Sequence, residues 1–231
     1  MSKENILFTV IGLLLGTMMG FLFANSVNQS SAVSPIMATA PAANSLPSGH
    51  PSVPGAGGAN GSVPEIQAAI DNARQNPNDL EAQLKAAELY YQIQRFDGAL
   101  EFLKKANELQ PDNYEVIVNL GNTYFDAEKY AEAEKWYLSA LAKKPANLDV
   151  RTDLGLSYVL REKPDFDKAV TEFKQVLAAD PNHVQALQNI TVAYTKKSDS
   201  ANASQSVAKL EAVDPENKAL AKLKEDIAKL K

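Results

Sequence analysis

The side chains that most often carry out chemistry are scarce in this chain. It has two histidines, His50 and His183, far apart in sequence, and it has no cysteine. A thiolate nucleophile, a disulfide and a cysteine metal site are therefore excluded. An enzyme needs a nucleophile or metal, a base and a group that orients them, and no such constellation is visible. We expect no catalytic residue, no metal site and no cofactor.

The remaining candidates for chemistry are better explained as structure. Four glycines at positions 55, 57, 58 and 61 are not followed by the lysine of a phosphate-binding loop. Acidic pairs such as Glu132 and Glu134 are typical of solvated helix faces. His183 occupies a position where a helix is expected to begin, so we interpret it as a cap or turn residue. The sequence therefore favours a protein that is not an enzyme.

The charge of the chain excludes another class of function. The net charge is -5, and a nucleic-acid partner would require a basic stripe. Lys3 and Glu4 are the only Lys, Arg, Asp or Glu residues before Glu65, so almost all charge lies after that position. We expect no nucleic-acid partner.

Prolines mark a regular interval in the charged part of the chain. They are Pro77, Pro111, Pro145, Pro181 and Pro215, with spacings of 34, 34, 36 and 34 residues. A period of this size indicates a repeat architecture, in which each unit buries its apolar face against the next.

Small residues and a tyrosine recur inside this interval. In every unit, two positions hold small or short side chains and a third holds a tyrosine. The first position holds Ala87, Gly121, Gly155 and Thr191, and the second holds Ala99, Ala133, Ala169 and Ala203. The third position holds Tyr90, Tyr124, Tyr158 and Tyr194. Two antiparallel helices approach closely where side chains are small, and a ring fills the space beside them.

In these positions residues 80–217 resemble the tetratricopeptide repeat, a helix–turn–helix unit of 34 residues. The second unit matches most fully, with Leu120, Gly121, Tyr124, Tyr130, Ala133, Tyr137, Ala140 and Pro145. The tryptophan usual at the fourth position is replaced by Gln83, Ile117, Arg151 and Leu187. The resemblance implies an all-α, right-handed α-solenoid of about four helix pairs.

Each unit is predicted to supply two helices. The first helices are expected at 80–93, 114–127, 148–161 and 184–196, and their partners at 97–109, 131–143, 167–179 and 201–212. Before the first helices and the last helix stand Asp79, Asn113, Asn147, His183 and Asn217. The oxygens of the Asp and Asn side chains can accept from the free amides of a first helical turn. The third unit has two extra residues, which we place in the turn at 161–165.

The whole chain is divided accordingly. The segments are a short cytoplasmic N-terminus (1–5), a transmembrane anchor (6–24), a disordered Ser/Ala/Pro/Gly tether (25–62), an N-capping helix or half repeat (63–79), four repeats (80–113, 114–147, 148–183 and 184–217) and a C-capping helix (218–231). A last amphipathic helix is expected at about 216–230. Capping helices cover the open ends that stacked repeats leave exposed.

The anchor is predicted from 19 uncharged, mostly apolar residues, Ile6 to Ala24. A helix of that length spans roughly 28 Å, close to the hydrocarbon thickness of a bilayer. A cleaved signal peptide, with a site near Ala24-Asn25-Ser26, and a buried soluble helix are the alternatives.

Topology follows from the few basic residues near this span. Lys3 precedes it and the next basic residue is Arg74, so the positive-inside rule places the repeats on the non-cytoplasmic side, the periplasm in a bacterium. Gly12, Gly16 and Gly20 share one face, which would support weak dimerisation. The alternative is that glycine is simply common in membrane spans.

The resemblance also implies a concave groove lined by the first helices. Its predicted residues are Glu81, Leu84, Glu88, Tyr91, Glu115, Val118, Asn122, Phe125, Asp149, Thr152, Leu156, Val159 and Val192, joined by Gln185, Gln188 and Thr195. We expect Tyr91, Phe125, Leu156 and Val159 to form a continuous exposed apolar strip bordered by acids. Such a surface suits a basic, amphipathic peptide or protein segment. The basic residues of the carboxylate-clamp branch are missing, so we do not expect that function.

Two functions remain open. In the first, the chain is a membrane-tethered scaffold that binds a protein or peptide in its groove. Its architecture is similar to that of repeat proteins that assist assembly at bacterial envelopes, including those of cytochrome c maturation, an analogy of architecture alone. In the second, it is a constitutive structural subunit of a membrane-associated complex, with its groove permanently filled.

Overall fold

The computed structural model describes residues 63–230. The predicted N-terminus, anchor, tether and glycine face at residues 1–62 lie outside the described residues. Within residues 63–230 the secondary structure is helical, without strands. The helices are α1 (Val63–Gln75), α2 (Leu80–Gln92), α3 (Phe96–Leu109), α4 (Tyr114–Asp126), α5 (Tyr130–Lys143), α6 (Leu148–Leu160), α7 (Phe166–Ala179), α8 (Val184–Lys196), α9 (Ser200–Val213) and α10 (Leu220–Ala228).

The helices pack in the order in which they follow along the chain. Four hairpins pair α2 with α3, α4 with α5, α6 with α7, and α8 with α9, and the second helix of each hairpin packs on the first helix of the next. At the ends, α1 packs on α2, and α10 packs on α9 and α8. The all-α class and the solenoid arrangement are therefore confirmed for residues 63–230, while the right-handed sense stays a prediction. No helix in that range is long and apolar enough to cross a bilayer.

The first helices begin at the predicted capping residues. Oδ1 of Asp79 accepts from the amides of Glu81 and Ala82 at 3.0 and 3.2 Å. Asn113 caps α4 in the same way, and Oδ1 of Asn147 caps α6 by accepting from the Val150 amide alone, at 2.9 Å. His183 caps α8 through Nδ1, which accepts from the Ala186 amide at 3.2 Å. Its role is structural, as expected from its position.

The last helix begins later than predicted. Oδ1 of Asn217 accepts from the Ala219 amide at 3.0 Å, and the Leu220 amide donates to the Asn217 carbonyl at 3.1 Å. These bonds form a turn rather than a first helical turn, so α10 starts at Leu220 and not near residue 216 or 218. Its apolar face still covers the end of the repeats, because Leu220, Leu223 and Ile227 are buried.

One backbone hydrogen bond closes the turn inside every hairpin. The amide of the residue just before the second helix donates to the carbonyl of the recurring tyrosine, at 2.8–2.9 Å. The donor–acceptor pairs are Arg95–Tyr90, Lys129–Tyr124, Asp165–Tyr158 and Asp199–Tyr194. In three hairpins Gln94, Glu128 and Ser198 reach this geometry with φ of 58°. The third hairpin uses its two extra residues instead, so the insertion preserves the closing bond.

The two helices of a hairpin are held close by a glycine facing an aromatic ring. A Cβ on Gly121 would lie 2.6 Å from Cε1 of Tyr137, and one on Gly155 would lie 2.6 Å from Cε1 of Phe173. Both rings are fully buried. Because a real Cβ essentially never approaches another atom so closely, α4 and α6 reach their partner helices only with glycine at these positions.

The buried face of α5 predicts the effect of a larger side chain there. Ala133 is fully buried one turn before Tyr137 on α5, so Ala133→Leu should lower the free energy of unfolding by about 1–3 kcal/mol. Chemical denaturation followed by circular dichroism measures the loss.

Ala131→Leu is the matched control, since Ala131 is exposed two residues away on the same helix. Alanine and leucine have similar helix propensities, so this variant should change stability by less than about 0.5 kcal/mol. Equal stability of the two variants would contradict the packing described for α5.

Candidate peptide-binding groove

A cleft opens where the first helices of the first two repeats, α2 and α4, lie beside each other. Its volume is about 320 Å³. Five predicted groove residues line it together: Glu81, Leu84, Glu88, Tyr91 and Glu115. The structure therefore brings together three of the four acidic side chains that the sequence assigned to the groove, with the side chains of Leu84 and Tyr91, and we call this the acidic cleft.

The carboxylates of the acidic cleft differ in whether they form ion pairs and side-chain hydrogen bonds. Glu88 accepts from Nζ of Lys85 at 3.0 Å and from Nε2 of Gln92 at 3.1 Å. Glu81 and Glu115 are exposed, and within residues 63–230 their carboxylates form no ion pair or side-chain hydrogen bond. Two unpaired negative charges therefore face solvent across the cleft, beside the partly exposed side chains of Leu84 and Tyr91.

Sequence reasoning missed part of this lining. Lys85, Asn113, Asn119 and Thr123 also contribute polar atoms, beside the apolar Ala87, Leu103 and Val116. Lys85 and Asn119 directly follow the predicted groove residues Leu84 and Val118. A helix face is at least 100° wide, and successive residues are 100° apart around the helix axis. One row of residues at helical spacing therefore covers only part of the face that lines a groove. Including the residue that follows each predicted groove position along the helix would have identified Lys85 and Asn119.

A side-chain hydrogen bond joins α2 to α4 at the end of the acidic cleft. The hydroxyl of Tyr91 donates to Oδ2 of Asp126, which lies 35 residues further along the chain. Burial, and then this hydrogen bond, raise the pKa of Tyr91 well above its ordinary value. Tyr91 is therefore fixed as a neutral donor between repeats while its ring also contacts Phe96 edge-on.

In α4, two predicted groove residues belong to the core. Asn122 is 2% exposed, and its Oδ1 accepts from the hydroxyl of Tyr137 at 3.0 Å. Phe125 is 8% exposed and packs edge-on against Tyr130, with 5.2 Å between ring centroids. Val118 remains half-buried. The amide oxygen of Asn122 is therefore already bonded within the core and does not face a groove.

In the third and fourth repeats, half of the predicted groove residues are buried: Gln188 is 5% exposed, whereas Gln185 and Thr195 are half-buried. Thr152, Leu156 and Val159 are 0, 4 and 8% exposed, whereas Asp149 is exposed and Val192 is half-buried. The expectation of a continuous exposed apolar strip is therefore wrong at Phe125, Leu156 and Val159. The physical reason is packing: Phe125 lies against Tyr130, and α6 lies against α5, α7 and α8. Peptide binding by the groove residues stays a prediction.

The Tyr91–Asp126 hydrogen bond predicts a measurable coupling between the first two repeats. Tyr91→Phe removes a bond to a charged acceptor and should lower the free energy of unfolding by about 1.5–3 kcal/mol at pH 7. The raised pKa means that this stabilisation is complete below pH 10, the unfolded tyrosine value, and is lost as pH rises further. Urea unfolding of Tyr91→Phe and the parent chain between pH 7 and pH 11 measures it.

Tyr90→Phe is the matched control for this experiment. Tyr90 stacks on Phe102 at 5.7 Å, and its hydroxyl makes no hydrogen bond within residues 63–230. Its removal should change stability by less than about 0.5 kcal/mol. If both variants lose the same free energy of unfolding, the hydrogen bond from Tyr91 to Asp126 does not couple the first two repeats.

Comparison with known proteins supports the repeat assignment. Two family models described as tetratricopeptide repeat match the sequence, one over residues 56–114 and the other over residues 94–152. No curated protein sequence matches the chain significantly.

Solved structures of MamA proteins have a similar fold. A crystal structure of MamA is 26% identical, with a TM-score of 0.59 over 68% of this chain and 84% of that one. Another crystal structure of MamA is 25% identical, with a TM-score of 0.55 over 71 and 90% of the two chains. MamA from Desulfovibrio magneticus RS-1 is 18% identical and shows the fold alone, with a TM-score of 0.60 over 67 and 86%. By family model over residues 56–152 and by structure over about 68% of its length, the chain is similar to tetratricopeptide-repeat proteins and carries that repeat.

Proposed function

We propose that the chain is a membrane-tethered interaction scaffold whose acidic cleft binds a basic, amphipathic segment of a protein partner. The observation that carries this proposal is the pair of unpaired carboxylates, Glu81 and Glu115, beside the exposed parts of Leu84 and Tyr91 in a cleft of about 320 Å³. A tetratricopeptide-repeat fold is itself typical of protein–protein interaction scaffolds, and the similarity to MamA structures fits that role.

The chemistry of the cleft supports a ligand that is both basic and apolar. Its exposed hydrocarbon comes from Leu84 and the ring of Tyr91, and burying that surface favours association. The carboxylates stand at the edge, where charge mainly raises the association rate and selects the sign of the partner. A lysine or arginine flanked by apolar side chains satisfies both requirements, because its stem can contact this hydrocarbon while its charge reaches the edge.

The tether and the side of the membrane are the second part of the proposal. The uncharged apolar run at residues 6–24 is long enough for a membrane anchor, and the uncharged stretch at 25–62 would let the repeats reach about 35 Å from it. With Lys3 inside, the repeats act on the non-cytoplasmic side. A scaffold placed there would hold a partner segment during assembly, in the manner of a chaperone-like factor.

Reversal of the unpaired charges tests the role of the cleft. A photo-reactive amino acid at Leu84 of the full chain identifies the segment that contacts the cleft in membranes. Stopped-flow measurement with that segment should then show association roughly tenfold or more slower for Glu81→Lys with Glu115→Lys at low salt. The dependence of the rate on salt should weaken at the same time, because fewer charges attract the segment.

A control with the same change in net charge separates local from global effects. Glu101→Lys with Glu216→Lys reverses two exposed carboxylates outside the acidic cleft. This variant should associate at nearly the parental rate. If both double variants slow association equally, or if neither does, the acidic cleft is not the binding site.

Protease protection tests the proposed topology. In membrane vesicles with the cytoplasmic side outward, added protease should leave the repeats intact, and in opened cells it should digest them. The intact mass of the membrane-extracted chain distinguishes an anchor from a cleaved signal peptide. Digestion of the repeats in the cytoplasmic-side-out vesicles would overturn the assignment to the non-cytoplasmic side.

A further inference from the structure

The capping residue of the fourth repeat differs chemically from those of the second and third. The first helices α4 and α6 begin at Asn113 and Asn147, whose Oδ1 atoms accept from backbone amides at 2.9–3.3 Å. In α8 the same task falls to Nδ1 of His183, which accepts from the Ala186 amide at 3.2 Å. An amide oxygen remains an acceptor at every pH near neutrality, whereas an imidazole nitrogen does not. The cap of α8 is therefore the one of these three that a proton can remove.

The hydrogen bond to Ala186 requires a neutral ring. A neutral imidazole accepts at Nδ1 when its proton is on Nε2, and an imidazolium carries a proton on both nitrogens and accepts nothing. A cation at the beginning of a helix is also disfavoured by the free amides and the dipole of the first turn. Histidine side chains change charge in the range from about pH 8 to pH 5. Protonation of His183 therefore breaks the hydrogen bond that caps α8.

The other nitrogen of the ring faces the preceding repeat. Nε2 of His183 lies 3.9 Å from Oδ1 of Asp149, which is in the first turn of α6. The His183 side chain is 15% exposed and that of Asp149 is 56% exposed. A charge-assisted hydrogen bond is about 2.7–2.9 Å long, so a shift of roughly 1 Å would join the two side chains. The ring thus has one partner for its neutral form and another for its charged form.

The other charged and titratable groups of this region have partners or remain neutral. Asp180, in the turn before α8, accepts from a backbone amide of its own turn at 3.0 Å. Arg151 of α6 and Glu172 of α7 form an ion pair with each other at 2.7 Å. Tyr114 of α4, which interacts with Asp149, stays neutral because burial raises its pKa. Within residues 63–230, α9 and α10 give the imidazole neither a hydrogen bond nor an ion pair.

We propose that His183 is a pH-dependent switch, which caps α8 when its ring is neutral and binds Asp149 of α6 when its ring is protonated. The neutral state stabilises the first turn of α8. The protonated state links the third repeat to the fourth and leaves that turn without its side-chain cap. Gln185, one of the predicted groove residues, lies in this turn, so acidification changes the fourth-repeat end of the predicted groove. The acidic cleft, in the first two repeats, is not part of the switch.

The effect on stability follows from the two partners of the ring. The hydrogen bond to Ala186 favours the neutral ring in the folded chain, and Asp149 favours the charged ring. An exposed ion pair is weaker than a helix N-cap, so the loss of the cap dominates. The stabilisation from the cap is complete above about pH 6.5, the value for histidine in an unfolded chain, and is lost as pH falls. We therefore expect the fourth repeat to loosen on acidification.

Nuclear magnetic resonance of the isotopically labelled full chain, in an uncharged detergent, tests the switch between pH 8 and pH 5. The Ala186 amide signal should shift in one step, and its protection from hydrogen exchange should fall about fivefold, as expected for a lost N-cap. The side-chain carboxyl signal of Asp149 should shift in the same step, because the ion pair forms as the cap is lost. The amides of Val116 and Val150, capped by asparagine, are internal controls and should show no such step.

Three substitutions assign the step to its residues. His183→Asn supplies a cap that does not titrate, so the steps at Ala186 and Asp149 should both disappear. The unfolding equilibrium constant of the parent, divided by that of His183→Asn, should rise about fivefold from pH 8 to pH 5. Asp149→Asn removes the partner of the charged ring and should leave the Ala186 step in place. His50→Asn is the matched control, since it removes the other histidine of the chain and should change none of these results.

Three outcomes would overturn the proposal. The first is an Ala186 amide signal that stays constant while the ring of His183 takes up its proton. The second is the same pH dependence of unfolding in His183→Asn as in the parent chain. The third is a shift of the Asp149 carboxyl signal that persists in His183→Asn, which would mean that Asp149 responds to another group. Coincident steps at Ala186 and Asp149 that His183→Asn abolishes, and that His50→Asn leaves unchanged, support the switch.

Discussion

The close approach of two helices within each hairpin is the contact on which the structure depends. It is made by a pair of positions, one on each helix, whose side chains must share a fixed space. Glycine faces a large ring in the second and third repeats, as Gly121 with Tyr137 and Gly155 with Phe173. The equivalent positions hold Ala87 and Leu103 in the first repeat and Thr191 and Val207 in the fourth, and all four of these side chains are buried. The smaller one partner is, the larger the other, which keeps the volume between the helices filled.

That contact sets the spacing of the helices within a hairpin, and successive repeats are joined by both polar and apolar contacts. Ion pairs link neighbouring repeats, such as Lys129 with Asp97 at 2.7 Å and Lys143 with Asp112 at 2.6 Å. Lys129 holds the pKa of Asp97 below its usual value, but Asp97 is exposed, so the pair contributes little to stability. Arg161 with Glu134, at 3.2 Å, is more enclosed. Stacking itself therefore rests mainly on apolar burial.

The stacking produces a concave face with two distinct halves. The half formed by α2 and α4 is open and acidic, and the carboxylates of Glu81 and Glu115 form no ion pair within residues 63–230. The half formed by α6 and α8 is buried and contains polar as well as apolar side chains, among them the amide of Asn189, which has no hydrogen-bond partner within the same residues.

The sequence by itself determined the local and the periodic parts of this protein. Capping residues, the tyrosine whose carbonyl closes each hairpin and the glycines opposite rings depend on neighbours within one repeat, and 34-residue spacing displays each of them several times. The tertiary structure alone decided which concave residues remain accessible. Phe125, Leu156 and Val159 have the composition of a binding strip and yet are buried, Asn122 bonds to Tyr137, and Tyr91 bonds to Asp126 of the next repeat. Exposure at these positions depends on how the helices of successive repeats are rotated and how closely they lie, and these quantities are set by packing between residues distant in sequence, where periodicity carries no information.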